Sequence, residues 1–180
     1  SSAASDVYKR QRYYNYLRSG DVTVVFAATP CGSYSHCSGR RLRGKHKSEI
    51  MGLSGLSAED TAYLKRHNLF YEFTITVLEY CDTHGIAHGV ECSPDRADET
   101  ADTYWPKYAK WGSFWDHPRV KEWIKKSGAK RYLVARRRCE EPITAQKYYC
   151  FYFCKRLQPA ADEVLTLSLI HISEPTRHSI

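Results

Sequence analysis

Two residues in this chain have the type and the setting to make and break bonds. Cys31 stands in the turn Thr29-Pro30-Cys31-Gly32-Ser33, directly after the apolar run VTVVFAA from Val22 to Ala28. A thiol in a sharp turn at a strand end faces substrate on one side and is held by backbone on the other, which suits a nucleophile. Glu91 closes a second, shorter strand-like segment that starts at Ile86. A carboxylic acid at a neighbouring strand end can donate a proton to whatever the thiol attacks. Each residue also has a plainer reading. Free cysteine is among the most often buried residue types, and a strand-end carboxylate can simply anchor a loop.

The elements that must bring these two groups together can be read from pattern. Val22 to Ala28 is continuous, β-branched and uncharged, which predicts a buried parallel strand. The stretch from His36 to Lys47, with Arg40, Arg41, Arg43 and Lys45, lacks apolar periodicity and reads as a mobile surface loop. Ser57-Ala58-Glu59-Asp60 supplies a helix N-cap with an acidic first turn. The helix it opens is expected to run to about His84 and stop at Gly85, with Tyr63, Phe70, Phe73, Val77 and Cys81 on one face. With Ile86 to Glu91 as the next strand, this is one right-handed βαβ unit. Ligands of open α/β sheets bind beyond the carboxyl ends of the strands, where Cys31 and Glu91 both fall. Further on, Tyr104 to Trp115 is aromatic and irregular, and Pro118 to Lys126 reads as a short helix ending at Gly128. Lys130 to Cys139 and Lys147 to Lys155 read as two strands of a hairpin at one sheet edge. Gln158 to Val164 carries no clear signal.

The two ends read as translated sequencing adapter. Asp6 to Gln11 (DVYKRQ) can be written GAT GTG TAT AAG AGA CAG, and the reverse complement of that string translates as LSLIHI, which stands at Leu167 to Ile172. An inverted nucleotide repeat flanking an insert is a library feature, and such a scar is set aside in fold reasoning. The expected organisation is adapter at 1–11, one truncated α/β domain at 12–166 and adapter at 167–180.

Composition narrows the class. The insert is about one domain long. The formal charge of +7 drops by one without the ends, a balance that suits a polyanionic partner. The abundance of Tyr and Trp argues for a folded core. No stretch approaches the roughly 20 apolar residues of a membrane helix. Seven cysteines, an odd number without repeating spacing, do not form a disulfide framework and favour an intracellular, reducing compartment. Cys150 and Cys154 share a strand face, but no second ligand pair has a fitting separation, so no metal is expected.

The segment DVTVVFAATPCGSYS from Asp21 to Ser35 resembles the catalytic-loop motif of DNA cytosine (carbon-5) methyltransferases, in which an apolar strand leads into Pro-Pro-Cys. Gly89-Val90-Glu91-Cys92 resembles that family's Glu-Asn motif at the end of the next strand, and Arg136-Arg137-Arg138 its arginine-bearing motif. PDRADET followed by YWPKYAKWGSFWDHP resembles a variant of the fold met in open reading frames of algae and mobile elements. The resemblance implies a partial Rossmann-like methyltransferase fold, with a mostly parallel sheet, a terminal hairpin and the amino-terminal part missing. It implies that Cys31 attacks carbon 6 of a flipped-out cytosine while Glu91 protonates nitrogen 3. Pro30, Ser35, Arg136 and Arg138 would contact substrate, and Arg40, Arg41, Arg43 and Lys45 would face the DNA backbone. The methyl donor would be S-adenosylmethionine, the partner DNA and the compartment nuclear in a eukaryote. Thr29 stands where the family has its first proline, Cys92 stands for the asparagine, and the Gly-rich cofactor loop is absent, so the chain alone is expected to be inactive.

Two other readings fit. One is a non-catalytic nucleic-acid-binding or structural module of a mobile element that kept the fold, with Trp105, Trp111, Trp115 and Trp123 available for stacking on bases or for packing. The other is a cysteine-dependent hydrolase, which needs a histidine at Cys31, with His36, His84 and His88 as candidates.

Overall fold

The computed structural model describes residues 2–36, 39–136 and 147–170. The βαβ unit is present. Strand β1 (Val24–Ala28) lies parallel to β2 (Ala87–Cys92), with Val24 opposite Ala87 and Ala28 opposite Glu91. The crossover is helix α2 (Ala58–Thr83). The Ser57 hydroxyl accepts the Asp60 N–H at 3.0 Å, and Glu59 and Asp60 place negative charge where the helix dipole favours it. The helix stops at His84 because Gly85 takes the left-handed conformation, φ 69.

The chain continues through two single 3-10 turns into α3 (Pro118–Ser127). His117 caps α3, its Nδ1 accepting the Arg119 N–H at 3.2 Å, and Gly128 ends the helix at φ 60. Strands β3 (Lys130–Arg136) and β4 (Lys147–Phe153) form the expected antiparallel hairpin. The sheet order is β1-β2-β4-β3, with β4 antiparallel to both neighbours. The sheet is therefore mixed, not mostly parallel. The two strands of a hairpin run in opposite directions, and here the returning strand is the one that pairs with β2.

One face of the sheet is covered. Val90, Cys92 and Cys150 meet Tyr71, Ile75 and Leu78 of α2 and Val120 and Trp123 of α3 in the main core. The core side of α2 therefore differs from the expected one, and Phe70 is 47% exposed. Val77 and Cys81 instead meet Leu17 of α1 (Ser2–Arg18) in a second cluster with Tyr14 and Phe73. Helix α1 runs unbroken across Gln11 and Arg12, where the adapter boundary was expected, and its residues in this cluster are Tyr14 and Leu17. Helix α4 (Gln158–Ile170) follows β4, where the sequence had carried no clear signal.

Among the described residues the other face is left uncovered at β1. Val24 and Phe26 are 53% and 50% exposed, so β1 is buried on one side only. Phe26 sits 6.2 Å from Phe151 and 6.1 Å from Phe153 between ring centroids. The Phe153 ring lies over Gly89, where a Cβ would come within 2.4 Å of it.

Candidate functional site

Strand β1 delivers the Thr29–Ser33 turn to the carboxyl end of the parallel pair, where the Thr29 N–H donates to the Glu91 carbonyl at 3.4 Å. Thr29 is buried and its hydroxyl donates to that of Thr74 on α2 at 3.1 Å. The Cys31 carbonyl accepts the N–H groups of Tyr34 and Ser35 at 2.9 and 2.8 Å, which curls the chain into a tight turn. The Cys31 side chain is half-buried and packs against the main core. Beside it, Cys92 is fully buried, and burial, with Cys31 adding to it, pushes its thiol well above the usual range. Glu91 alternates with Val90 and Cys92, so it belongs to the open face, level with Ala28 and Phe151. Arg136 ends β3 at this same end of the sheet, opposite Lys147. Cys31, Glu91 and Arg136 thus share one end, with the thiol toward the helical side and the carboxylate toward the open side. Arg138 lies outside the described residues.

The most connected group at the turn is Arg43, which the sequence placed on a mobile basic loop. It is 1% exposed. Its Nε and Nη2 donate to the Ser33 hydroxyl at 3.2 and 3.0 Å, Nη2 also donates to Asn68 Oδ1 at 2.7 Å, and Nη1 donates to the Ile50 carbonyl at 2.7 Å. The guanidinium carbon lies 4.2 Å from the Tyr34 ring centroid and 5.2 Å from that of Tyr71. Leu42 and Gly44 are buried with it, and Gly44 bridges to Trp111, so this part of the loop is tied into the structure.

The other basic residues of the loop are also engaged. Arg40 pairs with Asp60 at 2.7 Å, Arg41 with Glu49 at 3.7 Å, and Lys45 donates to the Ala97 carbonyl at 2.7 Å. They do not form one outward-facing cationic cluster. Ser35 is half-buried and contributes its N–H to the turn. Pro30 is exposed, and its carbonyl accepts the Tyr71 hydroxyl at 2.5 Å.

Three residues not singled out as site residues meet this turn from α2: Tyr63, His67 and Tyr71, spaced four apart and therefore on one helix side. A Cβ on Gly32 would fall 2.6 Å from Tyr63 Oη and 3.6 Å from His67 Cε1, so α2 comes as near as glycine allows. The His67 ring lies 4.2 Å from Tyr63, and its Nδ1 is 3.5 Å from Tyr71 Oη. Burial holds its pKa below the usual value, and the charge of Arg43 lowers it further. The repeat of polar rings at intervals of four was the signal available in the sequence.

Of the histidines named for a hydrolase, His88 and His84 are engaged elsewhere, while His36 Nε2 is buried with no hydrogen-bond partner among the described residues. His88 is buried, with Nδ1–H donating to the Ile86 carbonyl at 2.8 Å and Nε2 accepting the Trp123 indole at 3.0 Å. His36 packs between Tyr108 and Trp111 at 4.4 and 5.0 Å. His84 stacks on Tyr80 at 3.8 Å, at the amino end of the sheet. Of the tryptophans, Trp115 donates to the Ser93 carbonyl at 2.8 Å from the core, and Trp105 is 54% exposed.

Among the described residues no group of His, Cys, Asp and Glu could hold a metal ion, and no helix is long and apolar enough to cross a membrane. A cavity of 490 Å³ opens at the amino end of the strands, between Leu17, Tyr80, His84 and Arg156. At the carboxyl end the turn is packed onto Tyr63, His67 and Tyr71. No family model matches the chain, and no curated protein and no solved structure matches it.

Proposed function

We propose that this α/β unit carries the cysteine side of a cytosine carbon-5 methyltransferase-like site, with Cys31 as nucleophile and Glu91 as proton donor. The observation behind this reading is the shared carboxyl end of two adjacent parallel strands joined by α2, with a half-buried thiol after one and a carboxyl group on the other. Cys31, after losing its proton to solvent, forms an S–C bond to carbon 6 of the pyrimidine. The electron pair of the 5,6 double bond moves toward nitrogen 3, which takes the proton of the Glu91 carboxylic acid. Carbon 5 becomes nucleophilic, and a proton from water can replace its hydrogen before the thiolate leaves. No methyl-transfer step is assigned to the described residues.

The experiment follows from the addition step and needs no methyl donor. The chain is incubated with a single-stranded oligonucleotide carrying tritium at carbon 5 of cytosine, and release of label to water is counted. Release that disappears in Cys31→Ser supports the reading. A folded chain that releases nothing, or that releases equally as Cys31→Ser, overturns it.

A second reading is favoured by a separate observation. The open aromatic face at Phe26, Phe151 and Phe153, on a chain of positive formal charge, suits a non-catalytic nucleic-acid-binding module whose rings stack on bases. Oligonucleotide binding that is lost in Phe26→Ser with Phe151→Ser, without tritium release, selects this reading over the first.

A further inference from the structure

Arg43 is a buried cation for which no carboxylate partner occurs among the described residues. Burying a guanidinium is costly, and a methionine or leucine of similar volume would fill such a site without that cost. The cost is offset by charge-assisted hydrogen bonds and by the faces of two tyrosines. What the charge holds in return is the Cys31 turn.

The directions of the hydrogen bonds in this network are determined. The Pro30 carbonyl can only accept, so the Tyr71 hydroxyl spends its proton there, at 2.5 Å. Tyr71 Oη must then accept from Ser33 Oγ at 3.2 Å, and Ser33 Oγ in turn accepts both Arg43 N–H groups. Every bond in the series Arg43, Ser33, Tyr71, Pro30 carbonyl therefore points the same way, from the cation outward, and each polarises the next. The series ends on the peptide that precedes Cys31. It also passes through Ser33, two residues after it, while the Cys31 carbonyl is taken by Tyr34 and Ser35. The backbone of Cys31 is thus held on both sides.

We propose that Arg43 is the positioning residue of the Cys31 turn, acting through Ser33 and Tyr71 to fix the Pro30–Cys31 peptide. Its mechanistic value rests on the reading of Cys31 as the nucleophile, but the structural claim can be tested apart from it. Loss of the series frees the turn locally while the core beneath it stays closed.

The test is alkylation of the folded chain by iodoacetamide, followed peptide by peptide with mass spectrometry. Cys31 is half-buried, whereas Cys81, Cys92, Cys150 and Cys154 are buried and report global opening in the same sample. In Arg43→Met and in Tyr71→Phe, Cys31 is expected to react roughly tenfold faster, the effect of losing one charge-assisted hydrogen bond, with the buried cysteines unchanged. Arg43→Lys keeps the charge but loses the fork that grips Ser33 twice, so it behaves like Arg43→Met. Tyr71→Phe keeps the ring in the core and decides the matter if Arg43→Met does not fold. A Cys31 rate at the wild-type level in folded Arg43→Lys and Tyr71→Phe overturns the proposal. So does a rise shared by the buried cysteines, since that marks general destabilisation. If the alkylation result holds but no variant or wild type releases tritium from cytosine, the positioning role stands and the methyltransferase-like reading falls.

Discussion

The indole N–H of Trp123 donates to Nε2 of His88 at 3.0 Å, joining α3 to the covered side of β2 inside the core. With Nδ1–H committed to the Ile86 carbonyl at 2.8 Å, the tautomer is fixed and the ring is neutral. Burial, the largest influence, accordingly keeps the His88 pKa below its ordinary value. Trp123→Phe leaves Nε2 buried without its donor and should cost about 1–3 kcal/mol. Urea unfolding measures this directly, and a loss under about half a kcal/mol would show that the bond contributes little.

Acid should destabilise the fold through its histidines. Burial lowers His36 from 6.5 to about 4, and His67, His88 and His117 are lowered as well. Below 6.5 the unfolded chain binds protons that the folded chain refuses, so stability is full above that pH and declines as the pH falls toward 4. For His36 alone the loss is of the order of 3 kcal/mol at the acid end. The thermal midpoint, read from pH 7 downward, should fall, and His36→Phe, which keeps a ring between Tyr108 and Trp111, should flatten the slope. A midpoint that holds steady across this range contradicts the assignment.

Gly89 should not tolerate a side chain. A Cβ there would meet the Phe153 ring at 2.4 Å and the Tyr152 carbonyl at 3.2 Å. Gly89→Ala must push Phe153 off the strand, at a cost of about 1–3 kcal/mol. Combining it with Phe153→Ala removes the clash, so a double-mutant cycle should show coupling between the two positions; additive losses would count against the contact.

Arg119 ties α3 to α2. It donates to both carboxylate oxygens of Glu79, at 3.0 and 2.6 Å, to Glu72, and to the Thr76 hydroxyl at 3.2 Å. The guanidinium is more than a third exposed, so solvent screens the pairs, and Arg119→Ala should cost only about 1 kcal/mol. The difference between wild type and variant should shrink in molar salt. A salt-independent difference would mean that packing of the side-chain stem, not charge, holds the helices together.

The sequence disclosed elements better than their partners. The βαβ unit was legible because its signals are local: an uncharged β-branched run, the Ser57 cap and the Gly85 stop. The place of β4 was not, because both sides of KYYCFYF are apolar and nothing in it says whether β3 or β4 meets β2. The face of α2 was misread because the helix serves two neighbours, the sheet through Leu78 and α1 through Val77, which smears a single stripe. Strand ends at Cys31 and Glu91 are legible from chain position and they fall at one end of the parallel pair, whereas Arg43 reads like its solvated neighbours. Its burial depends on Ser33, Asn68 and two tyrosines that come together only in three dimensions.

The insertion of β4 between β2 and β3 also has a kinetic consequence. Hairpins form within about 1–10 μs and helices faster still, whereas pairings between distant segments wait on loop closure. The β3–β4 ladder and helix α2 are therefore early products of refolding. The β2–β4 seam, which joins Gly89 to Phe153 and Cys92 to Cys150 across much of the chain, is expected to close late. A late seam is a natural line of parting, and partial opening along it would separate a βαβ half from a hairpin half while leaving each internally bonded.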